Sequence, residues 1–145
     1  YALITPPGMI AAPLPGWPGA ICAVVISPAI GARFAQIHVT LPLGAQGHGQ
    51  RSREQLLVFV RAGGVAVTAG GARATLRTGG YAYIPPGASY TVQPDNEQAE
   101  LLVFQKPYTP LAGIPAPEPL FGHEQDMLGA PFLGDEAALL KTLLP

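Results

Sequence analysis

The chain is 145 residues long, 48% hydrophobic and 12% charged, which is enough to enclose one ordinary core and too apolar to remain disordered. Its net charge of −1 comes from eight basic and nine acidic residues spread thinly, so it presents no field for nucleic acid, and no apolar run has the length of a bilayer-spanning helix. Eighteen glycines and seventeen prolines cut it into short phrases, which excludes long helices over most of its length and favours brief strands joined by turns.

The first residue is Tyr1, with no initiator methionine and no charged lead before an apolar signal core, and the last phrase, Leu143 to Pro145, stops in apolar sequence. A piece of a longer protein is expected. Pro6 to Gly8 and Pro13 to Gly19 read as irregular connections that no helix tolerates, with Trp17 capping a barrel end. Ile21 to Ser27 is a continuous apolar strand. It holds Cys22, the single cysteine, which can form no internal disulfide and is expected to be buried, consistent with a reducing cytoplasm. After a turn at Pro28 to Gly31, Phe34 to Leu41 alternates, with Ala35, Ile37, Val39 and Leu41 on one side and Phe34, Gln36, His38 and Thr40 on the other.

Gly44 to Arg53 reads as a polar, glycine-containing loop. Strands are then expected at Gln55 to Arg61, Val65 to Ala69, Ala72 to Leu76, Tyr81 to Ile84, Ser89 to Val92 and Glu100 to Gln105. Gly63-Gly64 and Gly70-Gly71 would make two successive hairpin-like connections. At Pro85, Pro86 and Gly87 a missing donor and a tolerated positive φ bend the chain into a corner, so that the next strand starts in a new direction. The fold class is all-β, closing as a double-sheet jelly roll over residues 1–106. Residues 107–145, broken by six prolines between Pro107 and Pro131, read as an extended strap. Near its end Asp135 could cap a short helix from Glu136 to Leu143, or the same leucines could form a strand.

The segment Gly79 to Tyr90 carries the most information. Gly79, Pro85 and Gly87 stand at the spacing of a cupin's second motif, which this segment resembles, and Tyr90 occupies the position of its metal-binding histidine. A metal cupin's first motif supplies two histidines one residue apart and a glutamate a few residues on, because alternate strand residues point into the barrel. The matching stretch here is His48, Gly49, Gln50 and Glu54. Two conventional ligands then remain, where a divalent transition metal usually needs three or more, and a depleted site holding no metal is expected. The bland alternative sets His48 and Gln50 in a solvated loop. His38, Tyr81, Tyr83 and Tyr90 are candidates for a small-ligand pocket, as polar or amphipathic groups on barrel strands, beside the default readings of a satisfied, half-buried His38 and of tyrosines in core and rim packing. His123, Glu124 and Asp126 cluster in the strap without a period that would orient them on one ion.

Taken together, Tyr1 to Gly8, Gly31 to Phe34, Val39 to Leu41, Gly79 to Gly87 and Phe104 to Gly113 resemble the amino-terminal half of the (S)-ureidoglycine aminohydrolases, two-cupin enzymes of purine-ureide breakdown. The resemblance covers nearly the whole chain. It implies a first barrel without a working metal site and a strap leading to a second cupin that binds manganese and carries catalysis. It also implies a cytoplasmic homo-oligomer in which this half supplies packing, with Phe121, Phe132 and Leu133 as candidate interface groups. A stand-alone cupin that binds a small metabolite, and a storage-type bicupin without chemistry, are the competing readings.

Overall fold

Alternation in residues 35–41 builds the barrel wall, since Ile37, Val39 and Leu41 are buried while Gln36, His38 and Thr40 are half-buried on the opposite face. A computed structural model of the chain describes residues 8–50 and 53–144; Tyr1 to Pro7, Arg51, Ser52 and Pro145 lie outside the described residues, and with them most of the first proline-rich connection. The described strands are β1 (Ala11–Ala12), β2 (Ile21–Ile26), β3 (Ala35–Leu41), β4 (Gly47–Gln50), β5 (Glu54–Ala62), β6 (Gly64–Ala69), β7 (Ala72–Arg77), β8 (Gly80–Ile84), β9 (Ser89–Pro94), β10 (Ala99–Pro107), β11 (Leu120–His123), β12 (Gly129–Phe132) and β13 (Asp135–Lys141). No described helix is long and apolar enough to cross a membrane.

Two antiparallel sheets face each other. One has the order β1-β2-β3-β10-β5-β8-β11 and the other β4-β9-β6-β7, so from β3 to β10 the chain passes back and forth between them as a jelly roll requires. Between the sheets, Val39, Leu41, Val58, Val60, Val103 and Leu101 of one pack against Val65, Val67, Leu76 and Val92 of the other. The corner at Pro85 to Gly87 lies where expected, with Gly87 at φ 84°, and carries the chain from β8 in one sheet to β9 in the other.

Several expectations change. Gly63 is not a hairpin turn: β5 and β6 lie in different sheets, and Gly63, at φ 75°, is a crossing where a β-carbon would meet the Gln98 carbonyl oxygen at 2.6 Å. Gly70 and Gly71 do join a hairpin, β6 to β7. The polar loop at 44–53 contains a strand, β4, because tertiary pairing with β9 overrides its weak local preference.

Nor is the strap merely extended. β10 ends at Pro107, and β11 adds a seventh strand to the larger sheet by pairing with β8. The segment left between helix and strand is a strand: β12 and β13 form a hairpin through Leu133 and Gly134, at φ 51° and 85°, and Asp135 Oδ1 accepts from the Ala137 amide rather than opening a helix.

Candidate functional site

Strand β4 sets the geometry of the barrel interior. Gly47 is buried and His48 and Gln50 are exposed, so the inward positions are 47 and 49, one residue out of register with the sequence-matched pair. A β-carbon on Gly47 would collide with the Trp17 ring, and one on Gly49 would lie 3.4 Å from Tyr90 Cε1. His48 and Gln50 both lie on the outside of β4, and Gln50 Nε2 donates to the Gly87 carbonyl.

Trp17 occupies the space in front of Gly47, and Tyr90 that in front of Gly49. The turn that delivers it is held by the Trp17 amide donating to Leu14 O at 3.1 Å and the Ala20 amide to Trp17 O at 3.2 Å. The same segment is tied to β4 by the His48 amide donating to Gly16 O at 2.7 Å and the Gln46 amide to Pro18 O. Gly16, at φ 82°, must be glycine there, since a β-carbon would stand 2.7 Å from the His48 oxygen. Trp17 is 3% exposed and part of the core. Tyr90, paired with Gly49 across β4 and β9, is buried beside it.

Of the inward positions 47, 49, 54 and 90, two are glycine and one is tyrosine. Only Glu54 is a conventional metal ligand, and among the described residues no three His, Cys, Asp or Glu side chains converge on one point. This donor set does not fit a divalent transition metal.

The ligand-pocket candidates do not form one wall. Tyr90 faces inward, whereas Ala82 and Ile84 take the core positions of β8 and leave Tyr81 and Tyr83 on its other face. Tyr81 lies beneath β11, where a β-carbon on Gly122 would stand 2.5 Å from its Cζ, and its hydroxyl reaches Met127 Sδ at 3.8 Å. Tyr83 donates to Gln55 Oε1 at 2.9 Å and borders a cavity of about 200 Å³ closed by Tyr108, Pro117 and Leu144. Burial, and then the neighbouring Tyr108, push the Tyr83 phenol above its ordinary pKa. His38 is also on the outer face, with Nε2 3.3 Å from Gln36 Nε2, and not in the barrel cavity.

His123 is a clamp. Its Nδ1 accepts from the Gln125 amide at 3.1 Å, which leaves Nε2 to donate to Thr78 O at 2.9 Å, and the Glu124 amide donates to Gly79 O. These bonds fasten the strap to the β7–β8 turn. Cys22 is buried in the core, where desolvation raises its thiol pKa. Phe121 packs on the core, while Phe132 and Leu133 are exposed on the hairpin.

Sequence reading places Trp17 at a barrel end but misses its contact with Gly47 and the part Gln105 plays. Trp17 and Gln105 border a cavity of about 280 Å³ at the barrel mouth, together with Glu54. The available signal was two glycines two residues apart in a strand, a period that removes every inward side chain from β4.

The two facing sheets and the corner motif make the chain a cupin. The solved Cnp3 cupin domain of Schizosaccharomyces pombe superposes with a TM-score of 0.60 at 16% identity over 72% of each chain. Protein Ylba from E. coli superposes with a TM-score of 0.84 at 24% identity, over 97% of this chain and 56% of that one. In sequence the chain is similar over its whole length to the (S)-ureidoglycine aminohydrolases. That of Escherichia coli (strain K12) is 30% identical over 149 residues, which cover 100% of this chain and 56% of the relative. The chain spans about half the length of the curated relatives it matches. No protein-family model matches it.

Proposed function

We propose that the chain is the non-catalytic, amino-terminal half of a two-cupin (S)-ureidoglycine aminohydrolase. The whole protein would replace the α-amino group of (S)-ureidoglycine by water, releasing ammonia and ureidoglycolate. Manganese and the catalytic residues would lie in a second cupin. The observation that carries the non-catalytic part of this reading is the barrel interior, where Trp17 stands against Gly47 and Tyr90 against Gly49 and no group of metal ligands converges among the described residues; similarity over the whole chain supports the enzyme class. No step of the reaction is assigned to this half. Its part is packing, through the exposed apolar side chains Phe132, Leu133, Leu139 and Leu140, against the second cupin and further copies in a cytoplasmic homo-oligomer.

The test is ammonia release from (S)-ureidoglycine by residues 1–145 alone and by the protein joined to its second cupin, with bound metal measured in each. Turnover and stoichiometric metal only in the joined protein is the expected outcome; turnover with metal in this half alone would place the active site here. One observation favours a second reading, a stand-alone small-molecule-binding cupin: the cavity at the barrel mouth. A parent reading frame without a second cupin would select it.

A further inference from the structure

The cavity at the barrel mouth has a chemistry that the plugged interior does not use. Trp17 and Ile37, 3% and 5% exposed, form its deep end, and Val24, 45% exposed, lies at its rim. Leu14, Pro28 and Phe34 supply further apolar wall around a volume of about 280 Å³. Two polar side chains enter from the larger sheet. In the β5–β10 pairing Glu54 lies opposite Pro107 and Gln105 opposite Leu56, so the two are diagonal neighbours on one face. No basic side chain is among the described residues that line the cavity.

We infer that this cavity binds a small organic cation, an ammonium or amidinium head on an apolar body of about ten non-hydrogen atoms, a size on the order of twice the benzene that a 150 Å³ cavity holds. The head lies against the Glu54 carboxylate, whose two oxygens have acceptor sites for more than one donor and so retain the interaction Glu54 already makes. A second N–H of the head donates to the Gln105 amide oxygen. The indole face of Trp17 adds cation–π attraction, and the aliphatic walls cover the body. An anion of the same shape finds no basic side chain among the described residues that line the cavity, and is excluded. The inference holds whether or not the chain is half of an aminohydrolase.

Trp17 is the chain's single tryptophan, so its emission reports occupancy directly. The probe is phenethylammonium, with 3-phenylpropionate as the matched anion, titrated by Trp17 fluorescence and isothermal calorimetry. Saturable binding of the cation and none of the anion is expected. Glu54→Gln should weaken the cation by about tenfold or more, the loss of one charge-assisted hydrogen bond. Ala35→Leu, which fills the cavity from β3, should abolish binding. Equal binding of the anion, an unchanged affinity in Glu54→Gln, or no saturable response to millimolar phenethylammonium would each overturn the assignment. The comparison of cation with anion uses the unaltered chain and stands even if a variant fails to fold.

Discussion

Gly47 and Trp17 are packed so closely that β4 can carry no side chain at that position: a β-carbon on Gly47 would stand 2.6 Å from Cε3 and 2.7 Å from Cη2 of the indole. A strand that elsewhere in this fold presents ligands has given up its inward side chain, and an aromatic ring from the preceding segment fills the space. The plug and the glycine depend on each other.

Gly47→Ala is therefore expected to destabilise the chain by about 1–3 kcal/mol through overpacking, and Trp17→Ala by about 3–5 kcal/mol through the cavity it leaves. In a Trp17→Leu background the cost of Gly47→Ala should largely disappear. Urea unfolding of the double-mutant cycle measures this, and strict additivity of the two changes would contradict the packing account.

Because His48 and Gln50 face outward, His48→Ala should change stability by no more than about 0.5 kcal/mol and leave metal uptake as it was. Moving ligands to the inward register should do the opposite. Trp17→Ala with Gly47→His, Gly49→His and Tyr90→His would set three imidazoles beside Glu54, and a gain of divalent-metal binding by calorimetry is expected. The same gain from Gln50→His alone would show that the outer register was the right one.

The alkaline limb of stability should depend on Tyr83. Its folded pKa is raised above the unfolded value, first by burial and then by Tyr108. The folded state thus holds the proton more tightly, so this contribution is present in full below about pH 10 and is lost as pH rises through the folded pKa. Tyr83→Phe should cost about 1 kcal/mol at neutral pH, from the lost bond to Gln55, while flattening the decline above pH 10. Chemical unfolding of both proteins between pH 7 and 11 checks the prediction, and parallel curves would contradict it.

Gly79, at φ 86°, faces the strap: a β-carbon would stand 2.8 Å from His123 Cε1 and 3.0 Å from Glu124 Oε1. Gly79→Ala should destabilise by about 1–3 kcal/mol, from strain at the positive φ and displacement of the clamp. Hydrogen exchange should be fastest to rise at the Glu124 amide, whose acceptor is the Gly79 carbonyl. A variant with unchanged exchange there would mean that the clamp does not depend on this turn.

Much of the barrel was legible in the sequence. Val39 and Leu41 announce an inward face by their period, and Pro85 with Gly87 can hardly be anything but a corner. The register of β4 was not legible. Its residues, Gly47 to Gln50, have no apolar alternation of their own, so motif matching placed His48 and Gln50 inside, while pairing with β9 placed Gly47 and Gly49 there instead. Nor is the face that Tyr81 and Tyr83 take legible, because aromatic spacing alone cannot tell the two faces of β8 apart once β11 covers the outer one.

Local chemistry, then, determined what each short segment can be, since backbone preference at glycine and proline and the two-residue period of a strand act over a few residues. Which side chain fills the barrel, which face a tyrosine meets and where Glu54 and Gln105 come together were decided only by the tertiary structure. Those outcomes depend on contacts such as that of Trp17 with Gly47, thirty positions apart in the chain, and on the close packing that lets only one large group occupy one space.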